Sequence, residues 1–242
     1  MLGQTLDDQL FAHWRVSSEA LREHLPDGLD VDEYDGSAWL GVTPFAVTGL
    51  RARGMVPLPL VSSFFELNVR TYVTLDLRPG IWFLSLDASS QLVVEAARRL
   101  YRLPFFRATI TLRRRDSWIV YDCARDDGRA FSGSYAAVGE RFNAEPGSLE
   151  HFLTERYCLY AEDDGRLFRA DIHHRPWPLQ PAEATIELEH DGAGLGATRG
   201  RSRPPLLGAS GRRHLAARGG SGQRHLGVRP SQVVPAERLQ PL

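Results

Sequence analysis

The chain of 242 residues sets 29 basic side chains against 30 acidic ones, and every basic residue is an arginine. That near-neutral balance excludes the basic footprint of a nucleic-acid-binding domain, and no run approaches the roughly 20 apolar residues a membrane helix needs. The absence of lysine excludes a P-loop and removes the usual amine for imine chemistry.

The charge is unevenly spread. Residues 1–190 hold 20 Arg and 28 Asp or Glu, whereas 191–242 hold 9 Arg with only Asp191 and Glu237. The exclusive use of Arg, with abundant Ala and Gly, reads as the product of a GC-rich bacterial gene. Cys123 and Cys158 form no C-x-x-C pair and no cluster with zinc spacing, so neither a disulfide framework nor a structural metal is expected. Met1 to Leu10 carries two Asp and no basic, apolar leader, and the expectation is a cytoplasmic protein.

In chain order, Phe11 to Val16 reads as a strand, and Ser17 or Ser18 caps a short helix ended by Pro26-Asp27-Gly28. Ser37 to Leu50 is strand-like. Arg51 to Ser63, with Gly54, Pro57 and Pro59, reads as a loop. Phe64 to Leu77 is the clearest long strand, and Ile81 to Ala88 follows a turn expected at Arg78-Pro79-Gly80. Ser89 or Ser90 caps a helix to about Arg102, with Leu92, Val93, Ala96, Ala97 and Leu100 at helical spacing. Phe105 to Arg114, Trp118 to Arg125 and Arg129 to Val138 read as successive strands, and Ser148 to Arg156 as a short helix. Tyr157 to Glu162 and Leu167 to His174 read as a hairpin, and Ala184 to Glu189 as a last strand.

Many strands with few helices define an α+β domain dominated by antiparallel sheet. About ten strands tend to curl or close, which removes exposed edges, so a closed or nearly closed β-barrel with a few short flanking helices is expected over residues 1–190. Residues 191–242 hold 10 Gly and 5 Pro and no Phe, Trp or Tyr. Such a segment has little apolar surface to offset ordering entropy. It is expected to be a disordered tail or the out-of-frame end of the gene.

Several stretches, taken in order, resemble one family: Phe64-Phe65-Glu66-Leu67-Asn68-Val69-Arg70-Thr71-Tyr72-Val73, Phe83-Leu84-Ser85-Leu86-Asp87, Ala97-Arg98-Arg99-Leu100-Tyr101 with Leu103-Pro104, Glu155-Arg156-Tyr157, and Ile172 through Leu179. Together they look like the YqjF-like family of bacterial proteins, a domain of unknown function, over roughly residues 8–189. More distantly, Arg15 to Arg22 with Pro26 and Leu29, then Glu66, Leu86-Asp87 and Leu103-Pro104, resemble acetoacetate decarboxylase. That resemblance implies a barrel-like sheet around a ligand cavity, a glutamate facing the cavity at Glu66, and two lysines after the proline. Phe105 and Phe106 stand at the two lysine positions. Arg cannot replace the missing amine, because its guanidinium stays protonated, so Schiff-base decarboxylation is excluded for the side chains of this chain.

Along Phe64 to Val73 side chains alternate faces, placing Glu66, Asn68, Arg70 and Tyr72 together. That face is either solvated or turned into a barrel. If inside, Glu66 and Arg70 are expected to pair, Arg70 to suit a carboxylate or phosphate, and Glu66 to serve as proton donor or acceptor. Tyr101, Phe105 and Phe106 follow the helix; one Phe belongs to the core and the other to the cavity wall. His173 and His174, adjacent on a strand, point oppositely and do not share a metal; one of the two, His173, could face the cavity. His13 on the first strand carries the same ambiguity. Arg113-Arg114-Arg115 reads as a solvated strand end, and no G-x-S-x-G elbow occurs. The leading expectation is a binder of a small anionic or carbonyl molecule at Glu66, Asn68, Arg70, Tyr72, Tyr101, Phe105, Phe106 and His173. No cofactor, nucleic acid or membrane partner is expected, and a homo-oligomer is possible. A lysine-independent acid–base enzyme using Glu66 and a non-catalytic fold relative are the alternatives.

Overall fold

The computed structural model describes residues 2–52, 56–57, 62–189, 206–209, 227–228 and 232–233. The chain opens with strands β1 (Leu2–Asp7) and β2 (Gln9–Val16), helix α1 (Ser18–Arg22), then β3 (Asp30–Val31) and β4 (Ala38–Ala52). Next come the long hairpin β5 (Phe64–Leu75) and β6 (Arg78–Ala88), helix α2 (Gln91–Tyr101) and strand β7 (Phe105–Arg107). A second group, β8 (Thr109–Arg115), β9 (Trp118–Ala124), β10 (Ala130–Ala137) and β11 (Phe142–Asn143), leads to helix α3 (Leu149–Thr154). Strands β12 (Cys158–Asp163), β13 (Arg166–His173) and β14 (Pro178–Glu189) follow. The last described pieces are β15 (Leu206–Ala209), β16 (Gly227–Val228) and β17 (Gln232–Val233).

Strand β4 is long enough to serve two partners: its first half pairs with β2 and its second half with β1, all antiparallel. On its other side β4 pairs with β5, and β5 with β6. The far edge of β6 takes β12 near its start and β7 near its end, both parallel. The small sheet runs β8–β9–β10–β14, antiparallel throughout. At Ala108, whose N–H donates to the Ala88 carbonyl at 3.1 Å, the chain leaves the main sheet for the small one.

The main sheet curls. Phe45 and Val47 of β4 share a core with Phe83 and Leu86 of β6, Leu159 of β12 and Ile172 of β13, which only a curled sheet allows. Helix α2 lies against that core through Val94 and Ala97. The outer face of β2, β4 and β5 is covered by the small sheet, where Leu10, Val42 and Leu67 meet Ile110, Tyr121, Phe131 and Tyr135. Strand β5 is therefore buried on both faces.

Four expectations change. Of the closed or nearly closed barrel expected, the strands form a curled half-barrel that is not closed; among the described residues β1 and β13 are bridged by the two-residue β16 alone. The β5–β6 turn is Asp76-Leu77, not Arg78-Pro79-Gly80: both residues take left-handed dihedrals, φ 50° and 60°, the two-residue geometry whose twist suits a hairpin. On α2, Leu92 and Leu100 are exposed and the buried stripe passes through Val94 and Ala97. Strand β14 begins at Pro178, because its first residues pair with β11 and β15 before it joins β10. Of segment 191–242, the described residues are β15, which pairs with β2 and β14, and the short β16 and β17. The rest of the expected tail, and most of the expected loop 51–63, lie outside the described residues. No helix among the described residues is long and apolar enough to cross a membrane.

Leu77 is exposed and holds a conformation that costs a non-glycine residue roughly 1–2 kcal/mol. Leu77→Gly should therefore raise stability by about 0.5–1 kcal/mol in urea denaturation, after the entropy glycine adds to the unfolded chain, whereas Leu77→Val should lower it.

Candidate functional site

The inner face of the half-barrel carries a polar row. Glu66, Asn68, Arg70 and Tyr72 of β5 all point inward and are buried. Register sets their neighbours: Phe45 lies opposite Glu66, Thr43 opposite Asn68 and Gly41 opposite Arg70. His13 of β2 lies across Gly41. A Cβ at Gly41 would sit 3.0 Å from the His13 ring and 3.3 Å from Arg70 Cγ. The glycine is what lets imidazole and guanidinium stem close over the strand between them.

His13 Nε2 lies 2.7 Å from Tyr72 Oη, and the Tyr72 hydroxyl donates to the Leu153 carbonyl of α3 at 2.7 Å. Arg70 Nη2 donates to the same carbonyl at 3.0 Å. Tyrosine has one proton to give. Both Tyr72 contacts are satisfied when His13 donates from Nε2–H, which leaves Nδ1 with a free lone pair. Burial, helped by the Arg70 charge, holds the His13 pKa well below its ordinary value, so this imidazole is neutral.

Helix α3 closes this end of the row. Ser148 caps it by accepting from the His151 N–H at 3.2 Å. Arg156 donates to the Phe152 carbonyl at 2.7 Å and to Asp32 Oδ2 at 2.6 Å, with its guanidinium 4.1 Å from the Phe152 ring. The Tyr34 hydroxyl donates to the Gly147 carbonyl at 3.0 Å. Arg70 itself stands beside two rings, 5.4 Å from Phe11 and 5.6 Å from Tyr72.

Glu66 is set apart from this group. The Tyr121 hydroxyl of the small sheet donates to its backbone carbonyl at 2.8 Å. Burial pushes the carboxyl up to about 8; a hydrogen bond with Asn68 opposes this, and Asp87 on the other face of the sheet adds to it. Glu66 is thus protonated at neutral pH and able to donate. The expected Glu66–Arg70 pair does not form. The two are four residues apart, about 13 Å along a strand, with Asn68 between them, and Arg70 turns to Leu153 instead.

Four atoms along the row find no hydrogen-bond partner among the described residues: His13 Nδ1, Thr43 Oγ1, Asn68 Oδ1 and Arg70 Nε. Buried polar atoms are nearly always paired. Here two acceptors, a hydroxyl and a cationic donor converge on one face of three neighbouring strands.

Of the residues singled out from sequence, Glu66, Asn68, Arg70 and Tyr72 come together, and Phe105 joins their side of the sheet. Phe105 packs with Phe45, Phe83 and Leu86 as core. Phe106 faces the other way, its ring 3.8 Å from the Arg125 guanidinium. Tyr101 ends α2 half-buried and is not part of the row. His173 is exposed at the end of β13, because alternation turns Ile172 inward. His13 was an undecided histidine in the sequence, and Thr43 carried no signal beyond alternation with Gly41 on β4. The Leu153 carbonyl had none, since a backbone acceptor leaves no mark in residue type. Among the described residues no three His, Cys, Asp or Glu side chains gather as a metal site.

The curled sheet has the acetoacetate decarboxylase-like fold. An acetoacetate decarboxylase-like enzyme from Sphingomonas wittichii RW1 superposes with a TM-score of 0.62 at 15% identity, over 96% of this chain and 92% of that one. An acetoacetate decarboxylase gives 0.64 at 12% identity, over 96% and 89%. The enduracididine biosynthesis enzyme MppR, complexed with the condensation product of pyruvate and imidazole 4-carboxaldehyde, gives 0.62 at 14% identity, over 95% and 89%. At such identities the likeness is one of fold. The chain itself belongs to DUF2071, a family of uncharacterized conserved proteins, whose model matches residues 3–212. The uncharacterized protein YqjF of Bacillus subtilis (strain 168) is 44% identical over 190 residues, 78% of each chain.

Two outcomes follow from this geometry. Tyr72→Phe removes the acceptor of His13 Nε2–H and should destabilise the protein by about 1–3 kcal/mol in chemical denaturation, the cost of a buried unpaired donor. Glu66 has a folded pKa raised from 4.5 to about 8. Its contribution to stability is full below the unfolded value and is lost as pH rises through that window, by at most about 1.4 kcal/mol per pH unit. Glu66→Gln should flatten the fall in melting temperature between about pH 5 and 8; an unchanged slope would mean that Glu66 titrates normally.

Proposed function

We propose that the half-barrel binds a small anionic or carbonyl-bearing molecule along the polar row, with no Schiff-base step. The observation that carries this reading is the set of unpaired atoms on His13, Thr43, Asn68 and Arg70. Arg70 offers Nε to a carboxylate or carbonyl oxygen while Nη2 stays on Leu153. Thr43 can donate its hydroxyl proton, and His13 Nδ1 and Asn68 Oδ1 can accept from a ligand hydroxyl or enol. Protonated Glu66 can donate to a second oxygen. MppR, of the same fold, is described with pyruvate bound, and a 2-oxo acid has the oxygen pattern this row would take. The 242 residues contain no lysine, and of Phe105 and Phe106, at the two positions where the resemblance to acetoacetate decarboxylase expects lysines, Phe105 is packed into the core.

A second reading, lysine-independent acid–base chemistry, is favoured by one observation. Glu66 stays protonated near neutrality, so it can give a proton to the oxygen of a bound carbonyl compound and favour its enol.

A thermal-shift screen of small carboxylates and 2-oxo acids tests binding. A ligand that stabilises the wild type should stabilise Arg70→Ala much less, by a factor of roughly ten or more in affinity. Equal shifts in both proteins would remove Arg70 from the site. Solvent deuterium uptake at the carbon beside the carbonyl, lost in Glu66→Gln, separates the enzyme from the binder.

A further inference from the structure

The outer side of the main sheet holds a second group of residues that the polar row does not use. Between the outer face of β4–β6 and the edge of the small sheet runs a groove of about 620 Å³, within the range of small-molecule sites. Its wall is aliphatic, with Leu40, Val42, Leu67 and Val69 side by side. At one end sit Asp87, Cys123 and Arg125, and Arg102 and Arg129 also line it.

Arg125 is held in one orientation. Asp87 Oδ1 takes its Nε at 2.7 Å and its Nη2 at 2.5 Å, and the Phe106 ring lies 3.8 Å from the guanidinium carbon. The side chains of Arg125 and Asp87 are 4% and 8% exposed. A buried ion pair is a poor source of stability, since desolvation offsets most of the attraction. Here it fixes a flat cation with one edge spare. Arg125 Nη1 is buried and has no hydrogen-bond partner; Asp127 Oδ2 lies 3.6 Å from it.

We propose that this groove binds an amphipathic carboxylate of the medium-chain fatty acid type, at a site separate from the inner polar row. The carboxylate accepts from Arg125 Nη1, and the alkyl chain lies along Leu40, Val42, Leu67 and Val69. The charged groups facing it are Asp87 and Glu162 against Arg102, Arg125 and Arg129, a net positive lining. Arg102 pairs with Asp163, and Asp127 lies between Arg129 Nε at 3.8 Å and Arg125 Nη1 at 3.6 Å; of the three arginines only Arg125 is buried and held in one orientation, so the specific contact falls to it, the ligand carboxylate closing on Nη1 where Asp127 stays beyond hydrogen-bond distance. The thiol of Cys123 is pushed up by burial and acts as wall, not nucleophile.

Isothermal titration of the full chain with octanoate, octanol and octylammonium tests this. Octanoate should bind saturably, and octanol and octylammonium at least about tenfold more weakly, the scale of one charge-assisted hydrogen bond. The double variant Asp87→Asn with Arg125→Met removes both buried charges together and should bring octanoate down to the affinity of octanol. Leu188, half-exposed on the groove lining, provides variants that leave the core untouched: Leu188→Glu should weaken octanoate and Leu188→Arg should strengthen it. Saturating pyruvate should leave octanoate binding unchanged, because the groove is separate from the inner row. No saturable octanoate binding, equal affinity for octanoate and octanol, indifference to both Leu188 variants, or displacement of octanoate by pyruvate would each overturn the proposal.

Discussion

Everything in this molecule depends on strand β5 being buried on both faces. Its outer residues, Phe65, Leu67 and Val69, pack against the small sheet. Its inner residues, Glu66, Asn68, Arg70 and Tyr72, are polar and equally buried. Burying four polar side chains on one strand is costly unless they are hydrogen-bonded. The half-barrel meets part of that cost with α3, whose Leu153 carbonyl accepts from both Arg70 and Tyr72, and with His13, which reaches Tyr72 over Gly41. Those bonds leave His13 Nδ1, Thr43 Oγ1, Asn68 Oδ1 and Arg70 Nε without a hydrogen-bond partner among the described residues.

The two faces are coupled through the sheet. Tyr121, on the small sheet, anchors the backbone of Glu66, and Asp87, on the outer face, raises the inner carboxyl. Asp87 in turn is held by Arg125, and Arg125 by Phe106. Phe105 and Phe106, adjacent on β7, divide their work between the two faces. Phe105 fills the inner core beside Phe45, and Phe106 backs the outer cation.

Much of this was legible in the sequence. Alternation alone put Glu66, Asn68, Arg70 and Tyr72 on one face, and serines at 17, 90 and 148 marked the helix starts. Alternation could not say whether that face met water, because this is decided by residues a hundred positions away that cover it. The Leu153 carbonyl and the Asp87–Arg125 pair were illegible for the same reason: each joins segments that only the curl brings together. The β5–β6 turn misled because Pro79-Gly80 is a stronger turn signal than Asp76-Leu77, yet Pro79 sits within β6, paired with Thr74. Strand count left closed and nearly closed barrels alike open, because it limits edges without fixing how they are covered.

The proposal that the unpaired inner row is a ligand site, and not merely packing, is tested by native mass spectrometry of the freshly purified protein. A co-purifying or added small carboxylate or 2-oxo acid should be bound one per chain, retained by the wild type and lost from Arg70→Ala while the fold is kept. A wild type that shows only the bare chain mass with every such compound added, or one whose adduct survives intact in Arg70→Ala, would contradict it.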